Sequence, residues 1–132
     1  MRTLGIDYGR SKTGLALGIG NFAEPLKVIR YKDIKILSEE IKKIVDSEKI
    51  DKVVVGVSEE EMAEEIKGFV KTIQPFVYSA IELFDETLTS KDAQRLSQEA
   101  GLQRKKRHEM EDAYAASIML QNYLDSTTAV AG

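Results

Sequence analysis

The chain has 132 residues, enough for one domain built around one core. Hydrophobic residues make up 42% and charged residues 31%, which excludes a disordered tract, and apolar runs of only a few residues exclude a transmembrane helix. A net charge of −3 argues against a broad nucleic-acid coating surface, and the lack of cysteine rules out disulfides and thiolate metal sites.

The first nine residues carry neither the basic start nor the apolar stretch of a signal peptide, so a cytoplasmic protein without a membrane partner is expected. Residues 2–8 read as a strand in which Leu4 and Ile6 alternate with smaller or polar neighbours. A short connection from Gly9 to Thr13 leads to a second apolar run, Gly14 to Ile19, and Gly20-Asn21 signals a turn. A third strand is expected at about Leu26 to Tyr31, with Pro25 at its start. Connections this short make the three strands an antiparallel meander.

The period then changes. Ile34, Leu37, Ile41, Ile44 and Val45 share one helical face, and Asp33 precedes them as an N-cap. Lys52 to Val57 is a compact valine-rich run of the kind buried on both faces of a parallel sheet. Met62, Ile66, Phe69, Val70 and Ile73 mark a second amphipathic helix. Val77 to Phe84 reads as a fifth strand, following Pro75. A helix from Thr89 or Ser90 to Ala100 is stopped by Gly101, and a last helix covers about Glu109 to Leu124. The order β-β-β-α-β-α-β-α-α predicts an α/β fold with a mixed sheet and helices on its faces. In such sheets, sites form at the carboxyl ends of the parallel strands.

Three acidic positions fall where chemistry is expected. Asp7 lies at the end of an apolar strand and is followed by Gly9 and Gly14, although a turn-initiating aspartate would look the same. Asp85-Glu86 follows the fifth strand, where acidic residues also favour a helix N-terminus. Asp112 sits among Ala113, Ala115 and Ala116, about a turn inside the last helix, deeper than a preference for acids at the helix start explains. Carboxylates from three separate elements can hold two divalent ions about 4 Å apart for phosphodiester cleavage. Oxygen donors alone suit Mg2+ or Mn2+, and Zn2+ does not fit a chain with one histidine and no cysteine. The basic run Arg104-Lys105-Lys106-Arg107, with His108, precedes Asp112 and could grip phosphates, or could simply be a solvated loop.

Together these segments resemble the YqgF (RuvX) family of Holliday-junction resolvases, also linked to pre-16S rRNA processing. Gly5-Ile6-Asp7-Tyr8-Gly9 through Gly14-Leu15-Ala16 is similar to the family's opening motif. Val53-Val54-Val55-Gly56-Val57 corresponds to the strand ending in Gly-Leu-Pro, and Asp85-Glu86-Thr87-Leu88-Thr89-Ser90 to the Asp-Glu-Arg-x-Thr-Thr motif. Arg104-Lys105-Lys106 and the stretch from Asp112 to Leu124 resemble its closing basic loop and helix. The resemblance implies an RNase H-like domain over residues 1–126, with a flexible tail at 127–132 and sheet order 3-2-1-4-5. It implies a catalytic, metal-holding set of Asp7, Glu86 (Asp85 as the alternative) and Asp112. Nucleic acid, either RNA or branched DNA, would be held by Lys12, Arg104, Lys105, Lys106 and Arg107, in a monomer or homodimer.

Lys12-Thr13 stands where the family has Arg-Ile, Ser58 and an acidic Glu59-Glu60-Glu61 follow the fourth strand in place of proline, and Thr87 replaces an arginine. These departures favour the first of two other readings, and a short glycine motif supplies the second. One is a nucleic-acid-binding module of the same fold with little or no turnover. The other is an actin-like phosphotransferase, since Asp-x-Gly before a second glycine also opens that superfamily's phosphate loop; 132 residues supply one of the two domains it normally needs.

Overall fold

The computed structural model describes residues 1–57, 60–85 and 104–131. Its first three strands are β1 (Arg2–Asp7), β2 (Lys12–Ile19) and β3 (Phe22–Arg30), each antiparallel to the next. The β2–β3 turn uses Gly20 at φ +61°, a left-handed conformation that glycine adopts without steric cost. Strand β3 begins at Phe22, four residues before the start expected from sequence. Pro25 therefore lies inside it and not at its head. The register explains why this is tolerated: Ala16 faces Pro25 while Leu15 faces Lys27, so Leu26 is an extra residue in a bulge. A bulge on an edge strand is one of the few sheet positions where a missing N–H costs little.

Helix α1 (Ile34–Ser47) starts as expected, with the Asp33 carboxylate accepting a hydrogen bond from the Lys35 N–H at 2.9 Å. It returns the chain to β4 (Lys52–Val57), which lies parallel to β1. Helix α2 (Glu60–Ile73) leads to β5 (Ala80–Asp85), parallel to β4. Pro75 does not open that strand. It sits at the start of a 3-10 turn, Gln74–Phe76, where no N–H is required, and the strand begins only at Ala80. The sheet order is β3-β2-β1-β4-β5. This is the 3-2-1-4-5 order that the family resemblance implies, in an RNase H-like mixed sheet flanked by helices.

The last helix, α3, runs from Arg104 to Ala131, beyond the expected Glu109–Leu124 at both ends. The basic run 104–108 is therefore helical backbone and not a loop, and residues 127–131 continue the helix where a tail is expected from the sequence. The expected helix over 89–100 lies outside the described residues. Among the described residues, no helix is long and apolar enough to cross a membrane.

Strand alternation divides the core in two. Leu4 and Ile6 of β1 join Leu15, Leu17, Val53 and Val55 in a core covered by Leu37, Ile41, Ile66 and Phe69 of α1 and α2. The other face carries Ala16 and Val54 under Ala116, Met119, Leu120, Tyr123 and Leu124 of α3. Small residues let α3 lie close: a Cβ added at Gly5 would sit 3.0 Å from Leu120 Cβ, and one at Gly18 would sit 3.2 Å from Leu120 Cδ2.

Far from the carboxyl ends of the strands, a polar pin fastens α3 to the sheet. The Tyr123 hydroxyl donates to the Glu82 carboxylate and accepts from Lys52 Nζ at 2.7 Å, and Lys52 also reaches Glu82 at 3.0 Å. The Tyr123 hydroxyl and Lys52 hold the Glu82 carboxyl below its ordinary value of 4.5, and bonds to Tyr123 and Glu82 hold the Lys52 ammonium above 10.5. A depressed carboxylate stabilises the fold above its unfolded value and loses that contribution in acid. A raised ammonium stabilises below its unfolded value and loses it in base. Tyr123→Phe is expected to cost about 1 kcal/mol at neutral pH. In urea unfolding followed by circular dichroism, this difference should shrink as pH falls below 4.5.

Candidate active site

Asp7 ends β1 at the carboxyl edge of the parallel strands, and alternation from Gly5 turns it to the α3 face. Its Cα partners are Gly14 on β2 and Gly56 on β4. Neither neighbour carries a side chain, so other groups can approach the end of β1 closely on this face.

Gly14 also receives α3. A Cβ built there would lie 2.0 Å from the carbonyl oxygen of Asp112 and 2.8 Å from the Ala113 nitrogen, so the helix backbone rests on the bare glycine. Directly opposed residues in an antiparallel pair have Cα atoms about 4.5–5.5 Å apart. Asp7 and Asp112 are thus neighbours of the same glycine, one across the strand pair and one above it. Lys12 lies two residues earlier on β2 and on the same face, with its Nζ 3.2 Å from Asp112 Oδ2.

The loop after Asp7 is braced by residues that the sequence reading does not pick out. The Tyr31 hydroxyl donates to the Gly9 carbonyl, and the Gly9 N–H reaches the buried Thr13 hydroxyl at 3.4 Å. Burial, reinforced by the neighbouring Tyr8 hydroxyl, pushes Tyr31 up to about 12, so it remains a donor across the neutral range. Tyr8 stacks on Phe69 of α2 with ring centroids 4.7 Å apart. Arg10 is clamped to Glu65 of α2 through Nε at 3.0 Å and an NH2 nitrogen at 2.7 Å. The hairpin register places Tyr31 beside the loop through its N–H bond to the Ser11 carbonyl, and no signal in the sequence marks this brace.

Of the predicted site residues, the structure brings Asp7, Asp112 and Lys12 to one corner. Asp85 goes elsewhere. Phe84 packs against Tyr123 under α3, so the next residue, paired with Val57, turns to the α2 face. Glu86 lies outside the described residues. Residues 104–107 form the first turn of α3, about 8–12 Å along the helix axis from Asp112. Asp7 and Asp112 offer only oxygen donors, a set that fits a hard divalent ion. The bound ammonium of Lys12 shows that the corner attracts a cation. Among the described residues, no group of three acids or histidines comes together there.

A mixed 3-2-1-4-5 sheet with an aspartate ending its first strand and a second on the helix across it defines an RNase H-like fold of the resolvase type. Solved structures agree on that fold. Thermus thermophilus RuvC with a Holliday junction substrate superposes with a TM-score of 0.63 at 14% identity, covering 97% of this chain and 96% of that one. The fowlpox virus resolvase with Holliday junction DNA gives 0.63 at 13% identity, covering 96% and 99%. The chain belongs to the RuvX family, described as Holliday junction resolvase, whose profile matches residues 1–126. A Clostridium acetobutylicum protein named "Putative pre-16S rRNA nuclease" is 34% identical over 134 aligned residues, covering 96% of this chain and 99% of its own. Proteins of the same name from Clostridium botulinum and Halothermothrix orenii are 36% and 32% identical, covering 96% and 95% of this chain and 98% and 95% of their own. The chain is therefore a member of a nuclease family.

Gly14→Ala is expected to lift α3 from the corner and to destabilise the fold by about 2 kcal/mol, in the range of an overpacked core. The urea midpoint measures the loss, and Gly68→Ala on α2, where nothing lies within 4 Å of an added Cβ, serves as the control for glycine removal.

Proposed function

We propose that this chain is a nuclease that hydrolyses phosphodiester bonds in structured RNA with Mg2+ or Mn2+ held by Asp7, Asp112 and Glu86. The observation that carries the reading is the meeting of Asp7 and Asp112 over Gly14, in a chain of the RuvX family. Bound divalent ions at such a site activate water and stabilise the leaving oxygen. The chain's own part is to fix the donors. Asp7 is held by the sheet, Asp112 by the close seat of α3, and the loop from Tyr8 to Ser11 by Tyr31, Thr13 and the Arg10–Glu65 clamp. Residues 104–107 begin the helix that carries Asp112, a position from which basic side chains can take the phosphates flanking the scissile bond.

RNA is favoured over branched DNA because near-full-length relatives at 32–36% identity are named for pre-16S rRNA. The family's description favours a four-way junction as the second substrate. A symmetric cut at a junction needs two sites and hence a dimer, whereas trimming RNA needs one.

The test incubates the purified protein with precursor 16S rRNA fragments and with four-way DNA junctions, in Mg2+, Mn2+ or EDTA. Metal-dependent cleavage of the RNA is expected, with Asp7→Asn and Glu86→Gln each lowering the rate at least about a hundredfold. Preferential cleavage of the junction would move the substrate to DNA. Binding of either without cleavage under any metal would make the chain a binding module.

A further inference from the structure

The Lys12–Asp112 pair places a cation on one of the two carboxylates to which the proposed function gives the metal. Lys12 is also opposed across the β2–β3 pair by Arg30, on the same face. Two cations directly opposite one another on a sheet repel, and negative charge close by relieves that repulsion. Asp112 supplies it to Lys12 at 3.2 Å. The pair is accessible, with side chains 37% and 29% exposed, so the lysine can exchange without unfolding any part of the core.

We infer that Lys12 is the resident counter-cation of Asp112 in the metal-free chain, and that it moves onto a nucleic-acid phosphate beside Arg30 when a divalent ion takes the carboxylate. Lys12 then carries two incompatible bonds, one to Asp112 and one to phosphate. Repulsion from the ion and from Arg30 favours the second once the corner is loaded. Metal and nucleic acid would therefore each strengthen the binding of the other, as any shared coupling requires. This inference rests on the proposed metal site and adds to it a route by which an empty site holds substrate less firmly.

The experiment compares the parent chain with Lys12→Gln and Lys12→Arg in two binding measurements, neither of which needs turnover. In calorimetric titration with Mn2+ and no nucleic acid, Lys12→Gln is expected to bind roughly fivefold more tightly, the scale of a partly exposed ion pair, while Lys12→Arg stays near the parent. In fluorescence anisotropy with a short RNA hairpin in Ca2+, the slope of log affinity against log salt should be smaller by about one for Lys12→Gln than for the parent. Without divalent ion the two slopes should coincide. Equal Mn2+ affinity in the parent and Lys12→Gln, or a slope difference that is the same with and without Ca2+, overturns the inference and leaves the metal site standing. A parent chain that binds no Mn2+ removes the metal site and this inference with it.

Discussion

The seat of α3 on Gly14 is the contact on which the rest of the arrangement depends. A helix normally packs on a sheet through side chains at about 10 Å, and here it reaches the backbone itself, because Gly5, Gly14 and Gly18 leave nothing in the way. Leu120 and Leu124 fill the space over Gly5 and Gly18 and set the height of the helix. That height delivers Asp112 to the end of β1. A methyl group at Gly14 would meet a carbonyl oxygen at 2.0 Å, and a rigid backbone atom cannot turn aside as a side-chain end could.

This close seat creates an electrostatic problem that nearby charges offset. Two carboxylates beside one glycine repel each other. Lys12 supplies positive charge to Asp112, and Arg30 brings more of it to the same end of the sheet. The net charge of −3 hides this local concentration. A negatively charged chain can thus still meet a polyanion, provided that cations gather where the phosphates must lie.

The sequence makes the two ends of the fold legible to different degrees. Alternation in β1 and β4 and the helical period of α1 and α2 are strong signals, because each element buries one clear face. The prolines mislead, since the cost of a missing N–H depends on neighbours: Pro25 rides a bulge at the sheet edge and Pro75 a 3-10 turn. The basic run looks like a loop because its charges break the apolar period, yet helix propensity and the packing of the following turns carry α3 through it. At the site, Asp7 and Asp112 stand out in sequence because a carboxylate in apolar surroundings is costly. Choosing between Asp85 and Glu86 depends on strand parity, which fixes a face only once the register is known, and that parity sends Asp85 away from Asp7. Tyr31, Thr13 and the Arg10–Glu65 clamp carry no such mark, since ordinary residue types acquire their role only through long-range contact.

The central claim is that Asp7 and Asp112 serve one ion site across Gly14. A double-mutant cycle on Mn2+ affinity, by calorimetry on Asp7→Asn, Asp112→Asn and the double variant, tests it without substrate. A shared site predicts that each single change weakens binding at least about tenfold and that the second adds far less than the first. Full additivity, or an unchanged Mn2+ affinity in either single variant, would contradict it.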